Sequence, residues 1–325
     1  MKKVFITRML PQENMEELHR HFDVSVNPHD RPLTRDELKN GIKDCDAAIT
    51  LLTDTIDGEI LDAAGHKLKI VANYAVGYNN FDLKAATMRG VILTNTPAVL
   101  DDATADLSFA LLLAVARRVV EADLYLRNSK WKTGWAPTFF VGLDVTGKTL
   151  GIAGLGRIGK NLARKARGFD MRILYSDMHR DEEFERQTAA RHVSKETLLK
   201  ESDFLSLHVP LLPETRHYIG ETELALMKRT AVLINASRGP VVDEKALVKA
   251  LKERRIWGAG LDVFENEPAL EPGLAELDNV VIVPHIASAT VVTRRAMGEI
   301  AIGNVIEVLN GRSPDTCVNP DVLQK

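Results

Sequence analysis

The chain has 325 residues, about the length of two ordinary domains. Hydrophobic residues make up 45% and charged residues 27%, and 42 basic side chains face 45 acidic ones for a net charge of −3. This excludes a disordered chain and argues against nucleic acid as partner, since an electrostatic binder carries a basic excess. No apolar run reaches the length of a membrane span, and Arg8 and Pro11-Gln12-Glu13 interrupt any signal-like apolar stretch near the start. Two cysteines, Cys45 and Cys317, can form neither a disulfide framework nor a zinc cage, so no metal and a reducing cytoplasm are expected.

The first ninety-five residues alternate β-branched runs with helical patterns. Val4-Phe5-Ile6-Thr7 reads as a strand, and residues 12–21 as a helix with Met15 and Leu18 on one face. Residues 47–52, 70–72 and 91–93 read as further strands, the last two separated by a helical stretch from Leu83 to Arg89. Alternation of this kind implies parallel pairing through right-handed crossovers. From Thr104 to Leu126 the pattern predicts one long helix, apolar nearly all round at its centre and so buried on more than one side. Residues 128–148, rich in Trp, Gly and Pro, read as a long surface connection. A second alternation starts at Thr149. Its strand candidates are 150–153, 171–175, 204–207, 231–235, 259–261 and 280–283, enough for a complete doubly wound sheet. A final helix runs from about Val291 to Leu309.

Gly154-Leu155-Gly156-Arg157-Ile158-Gly159 is a G-x-G-x-x-G between a strand (149–153) and a helix (158–167), with Asp177 at the end of the next strand. Gly154 permits the tight turn, Gly156 lets backbone approach a pyrophosphate, and Gly159 lets helix pack on strand. The free N–H groups of the helix start suit the phosphates. Asp177 suits the adenosine ribose hydroxyls and would repel a 2′-phosphate, which predicts NAD over NADP; Arg180, three residues on, could soften that preference.

Three segments sit at the carboxyl ends of late strands, where ligands bind in such sheets. Asn235-Ala236-Ser237-Arg238-Gly239 offers a guanidinium for a carboxylate. Residues 261–268 offer Glu267, and Pro284-His285-Ile286-Ala287-Ser288 offers His285. Hydride transfer to a carbonyl needs a proton donor beside it, and a histidine backed by a carboxylate fits, so Glu267 and His285 are the candidate pair. The rival is His208, which also follows a strand but lacks an evident acidic partner.

Together the glycine turn, Asn235–Gly239, the 261–268 stretch, Pro284-His285 and the early segment Asn73-Tyr74-Ala75-Val76-Gly77-Tyr78-Asn79-Asn80-Phe81-Asp82 resemble the D-isomer-specific 2-hydroxyacid dehydrogenases. The resemblance spans nearly the whole chain. It implies an α/β fold of two Rossmann-like, flavodoxin-like doubly wound parallel-sheet domains with a cleft between them. Residues 1–98 plus 290–325 would form the substrate-binding domain and 99–289 the NAD-binding domain. His285 would be the acid/base, Glu267 its partner, and Arg238 the group that binds and polarises a 2-oxo acid. The substrate carboxylate would rest on the amides of Val76 and Gly77, near Leu52. Cofactor contacts would include Thr104, Arg157, Ile158, Asp177, Pro210, Ala236 and Asp262. Two subunits would dimerise through the long helix and the connection after it.

Phe5-Ile6-Thr7-Arg8, the Asn73–Tyr78 run and Trp135-Ala136-Pro137 are most similar to the glyoxylate/hydroxypyruvate reductase branch, in which a tryptophan like Trp135 can reach the partner's site and limit substrate size. Asp177-Met178-His179 departs from NADP-using members, which carry a basic residue there, and so favours NADH. Ala287 replaces a more usual glycine. The alternatives within the class are a 2-ketogluconate reductase and a phosphoglycerate dehydrogenase; outside it, an NAD-sensing protein like the family's corepressor relatives.

Overall fold

The computed structural model describes residues 1–324 and divides the chain into two compact units, Met1–Leu100 with Ala289–Lys325, and Asp101–Ser288. The first unit carries a five-stranded parallel sheet of β1 (Lys3–Ile6), β2 (Asp23–Val26), β3 (Ala47–Thr50), β4 (Ile70–Asn73) and β5 (Ile92–Thr94), ordered β2-β1-β3-β4-β5. β3 and β4 are buried at every position, as central strands covered on both faces must be. The helix Val291–Leu309 packs on β4 and on the helix Gln12–His21. Gly298 makes that crossing close, since a Cβ there would stand 2.2 Å from the Asn14 side chain, and the Asn14 amide donates to the Arg295 carbonyl at 3.2 Å. The chain's last stretch is fastened to β5 by Asn319, which accepts from Leu93 N–H at 2.8 Å and donates to the Val91 carbonyl at 3.0 Å.

The second unit carries a seven-stranded parallel sheet. In chain order it has β6 (Thr149–Ala153), β7 (Arg172–Ser176), β8 (Arg191–His192), β9 (Phe204–Leu207), β10 (Val232–Asn235), β11 (Gly258–Leu261) and β12 (Val280–Ile282), arranged β12-β11-β10-β9-β6-β7-β8. The order reverses at β6, which pairs with β7 on one side and β9 on the other. The crevice for a ligand opens at the carboxyl ends of such a pair. The helix Asp101–Ala116 lies across β10, β11 and β12. Its approach explains the small residues of β11: a Cβ on Gly258 would stand 2.8 Å from Val115, and one on Gly260 2.9 Å from Leu111.

Two sequence expectations are corrected. The long helix over 104–126 is two helices, Asp101–Ala116 and Val119–Arg127, because Arg118 adopts a left-handed φ of 54° that no α-helix continues through. Both sheets also hold one strand more than the pattern indicates, β2 and β8. These are edge strands with alternating or full exposure, so no apolar run marks them.

Candidate active site

The glycine turn follows β6 directly. Gly154 has φ +91° and packs so tightly that a Cβ would stand 2.8 Å from the His208 carbonyl at the end of β9. A Cβ on Gly159 would stand 2.4 Å from the Gly154 carbonyl oxygen, so only glycine lets the helix Arg157–Ala166 start this close to the turn. Gly156 differs: nothing lies within 4 Å of where its Cβ would be. The backbone there is open to an incoming group. The helix has no side-chain cap, so its first N–H groups and the positive end of its dipole are offered to an anion. Asp177, at the end of β7, takes the Leu155 N–H at 2.7 Å and the His179 N–H at 3.2 Å, which anchors its carboxylate beside the turn. These features fit a dinucleotide: an uncapped amide cradle for the pyrophosphate and a carboxylate next to it for the ribose. Arg157 bridges to Asp101 at 3.0 Å while its side chain stays 59% exposed, leaving the guanidinium at the mouth of the cradle.

His285 and Glu267 come together from different loops, with Nδ1 of the ring 2.9 Å from Oε2 of the carboxylate. Two further contacts fix the pair. Glu267 Oε1 accepts the Phe264 N–H at 2.9 Å, and the His285 N–H donates to the Asp262 carbonyl at 2.9 Å. Burial pushes the Glu267 carboxyl up, but His285, the Phe264 amide and nearby Arg238 outweigh it and hold the group below its ordinary range. An ionised Glu267 accepts from Nδ1, which leaves Nε2 as the nitrogen able to pass a proton outward. The turn that carries the ring is held by Asp262. Its fully buried carboxylate accepts from Ile286 N–H at 2.6 Å and Ala287 N–H at 3.0 Å. His285 itself sits at φ +52°, a conformation that favours glycine, sustained here by these amide contacts.

Arg238 follows β10. Its carbonyl accepts from the Asn235 side chain at 3.0 Å and its guanidinium donates to the Ser237 carbonyl at 2.7 Å. Burial lowers its affinity for a proton and the Glu267 charge raises it, so the guanidinium is both desolvated and close to the dyad. Gly239 makes this proximity possible. A Cβ there would overlap the Phe264 carbonyl at 1.9 Å, so the Arg238 segment can lie against the 264–267 segment only without a side chain. Arg238, Glu267 and His285 are thus brought together in the second unit. His208 is set apart from this chemistry: burial pushes its imidazole down to about 4, and Nε2 faces the Ser206 hydroxyl at 2.9 Å. A ring that stays neutral at physiological pH makes a poor proton donor.

The remaining expected residues are distributed as follows. Thr104 is buried in the helix Asp101–Ala116, Ala236 is buried just after β10, and Pro210 is exposed beyond β9. Trp135 is 83% exposed in the connection 128–148. Leu52, Val76 and Gly77 belong to the first unit, each half-buried on a loop after β3 or β4. Sequence reasoning missed the amides that hold these loops. Asn80 donates to the carbonyls of Leu51 at 3.1 Å and Asp54 at 2.9 Å, and Asn73 donates to the Gly77 carbonyl at 2.8 Å. Buried Asp54 accepts from the Leu51 N–H at 2.8 Å and the Thr7 hydroxyl at 2.5 Å. Asn73 and Asn80 lie in the 73–82 segment that carries the resemblance, but the sequence assigned neither of them a role.

A glycine cradle at the reversal of a parallel sheet, joined in the same unit to a histidine–carboxylate pair and an arginine, defines a nicotinamide-dependent oxidoreductase. The comparisons narrow the class. Residues 109–287 match the family model described as D-isomer specific 2-hydroxyacid dehydrogenase, NAD binding domain. A glyoxylate reductase of Korarchaeum cryptofilum is 53% identical over 323 residues, covering 99% of this chain and 97% of that protein. The crystal structure of a Thermus thermophilus protein superposes with a TM-score of 0.91 at 44% identity, covering 97% and 99% of the two chains. An NADPH-dependent glyoxylate/hydroxypyruvate reductase of Sinorhizobium meliloti, solved with NADP and malonate, gives a TM-score of 0.85 at 32% identity over 98% and 96%. The chain belongs to the D-isomer-specific 2-hydroxyacid dehydrogenase family, in its glyoxylate reductase branch.

Proposed function

We propose that the protein reduces glyoxylate and hydroxypyruvate to their 2-hydroxy acids, with NADH preferred over NADPH. The observation that carries this reading is the His285–Glu267 pair beside desolvated Arg238, at the carboxyl end of the sheet that bears the glycine cradle. Gly154, Gly156, Arg157, Ile158, Gly159 and Asp177 would hold the dinucleotide, with Thr104, Pro210, Ala236 and Asp262 completing its surroundings. When bound, the dihydronicotinamide supplies the hydride that reduces carbon 2 of the substrate. Arg238 and the amides of Val76 and Gly77 bind the substrate carboxylate. Arg238 also faces the carbonyl oxygen and stabilises the negative charge that develops on it. His285 delivers the proton to that oxygen from Nε2, and Glu267 supports the charged ring before transfer and its orientation afterwards.

The NADH preference rests on Asp177 and on Arg180. Both Nε and Nη2 of Arg180 donate to Glu185 Oε2, at 3.0 and 2.7 Å, so the cation is engaged away from a 2′-phosphate. A phosphorylated substrate is disfavoured on similar grounds. Arg31 is committed to Glu37, Arg35 to Asp57 and Glu59, and Arg8 to Asp30. The reading takes residues 1–98 with 290–325 as the substrate domain and 99–289 as the cofactor domain, in a homodimer of the cytoplasm. The test is a panel of glyoxylate, hydroxypyruvate, 2-ketogluconate, pyruvate and phosphohydroxypyruvate, each with NADH and NADPH. The two small 2-oxo acids with NADH should give the highest kcat/KM. A higher value with NADPH, or with a larger or phosphorylated acid, would overturn the assignment.

A further inference from the structure

We propose that Asn95 is a positioning residue for substrate binding, setting the direction of the Gly77 N–H through the Val76 carbonyl. The inference rests on the reading above that the amides of Val76 and Gly77 receive the substrate carboxylate. A trans peptide is planar, and its C=O and N–H point in opposite directions. The Val76 carbonyl and the Gly77 N–H share one such plane, and the one cis bond of the described residues lies elsewhere, at Glu267–Pro268. Asn95 Nδ2 donates to the Val76 carbonyl at 2.8 Å. Holding that oxygen turns the Gly77 N–H to the other side. The preceding plane is set in the same way: the Thr96 N–H donates to the Ala75 carbonyl at 2.9 Å, which turns the Val76 N–H away from residues 95–96. The Asn73 grip on Gly77 continues the series.

Three consecutive carbonyls are therefore each held by a donor, and the Val76 and Gly77 N–H groups find no acceptor among the described residues. Two adjacent amides without an internal acceptor are open to an anion. Two of the three grips come from adjacent residues, and one of these two is a side chain, so substitution can remove it without altering the backbone. Asn95 is itself well fixed. It is 8% exposed, its N–H reaches the Thr316 carbonyl at 3.3 Å, and its carbonyl accepts the Thr316 hydroxyl at 2.6 Å. Thr316 is in turn held by Asn304 at 2.7 Å from the final helix, so the grip is anchored from a distant part of the chain.

The experiment compares glyoxylate with its uncharged methyl ester, both with NADH, in the wild type and in Asn95→Ala. Misplacing one buried hydrogen-bond donor should raise the glyoxylate KM roughly ten- to a hundredfold. The KM for NADH and the kcat/KM for the ester should stay within about threefold of the wild type, because neither depends on a carboxylate contact at Gly77. Equal losses for acid and ester, or an unchanged glyoxylate KM, would overturn the proposal while leaving the proposed activity intact. A wild type that reduces no 2-oxo acid would overturn that activity and the inference with it. Should Asn95→Ala not fold, Asn95→Asp keeps the shape and answers the same question. The introduced carboxyl is shielded from water and regains a donor when protonated, so its KM defect should shrink as pH falls from about 8 to about 5.5. A defect of constant size across that range would also overturn the proposal.

Discussion

At the scale of single residues, the His285–Glu267 pair makes the most direct prediction. His285→Asn keeps a polar side chain of similar reach but cannot deliver a proton, so kcat should fall about 10²–10⁴-fold. The Kd for NADH, read by fluorescence titration, should stay close to that of the wild type, since the cradle at Gly154–Gly159 is built without the ring. Turnover within a few-fold of the wild type would remove His285 from the role of proton donor. This pair was legible in the sequence because the chemistry demands particular residue types and the strand pattern put both after β-strands. The glycine turn was legible for a different reason: its requirements are local, a positive φ at Gly154 and close approach at Gly159. Asn95 was not legible. An asparagine between Thr94 and Thr96 has no periodic or motif signature, and its meaning arises only when β5 brings it beside the loop after β4.

At the scale of elements, the loop that carries Glu267 is supported from beneath by the helix Glu244–Lys252. Glu244, only 2% exposed, accepts the Glu265 N–H at 2.7 Å through Oε1. Burial, reinforced by the charges of Glu265 and Glu271, pushes this carboxyl above its ordinary range. Below the unfolded-state pKa the group is protonated in both states and costs nothing. As pH rises past that value the unfolded chain ionises first, so the wild type loses stability until the folded pKa is passed. Glu244→Gln keeps the acceptor and removes the titration. Its Tm should therefore gain on the wild type as pH is raised from about 4 to about 7. A Tm difference independent of pH would show that Glu244 is not the buried acid described. Element boundaries were legible where apolar runs are continuous, as in β6, β9 and β10, which are buried at every position. They failed where side chains give no signal: the edge strands β2 and β8, and the single left-handed residue Arg118 that splits the expected long helix.

At the scale of the whole molecule, the apolar surface between the two helices and β6 asks for a partner. The helix Val119–Arg127 has no buried residue, although four of its nine positions are Val119, Val120, Leu124 and Leu126, each at least 40% exposed. Trp131, Trp135, Phe139 and Val141 extend this surface along the connection that follows. The connection is nevertheless ordered: Tyr125, Phe139 and Phe140 meet edge to face with centroids 4.6 to 5.5 Å apart, and Arg118 lies 4.8 Å from the Phe140 ring. So many large apolar side chains exposed within one segment of a folded chain point to an interaction surface. A second copy of the chain is the simplest occupant, because a two-fold interface needs one self-complementary patch. Light scattering on the purified protein should therefore give twice the 36.0 kDa of the chain. The double variant Leu124→Asp/Leu126→Asp would bury four charges at such an interface, two from each copy, a cost large enough to shift the mass to that of the monomer. Neither side chain is buried within the chain, so the separated subunit should still fold and its cofactor cradle still bind NADH, with a Tm lower only by the lost association. A wild type that is monomeric at all concentrations, or a double variant whose mass is unchanged, would show that this surface serves something other than self-association.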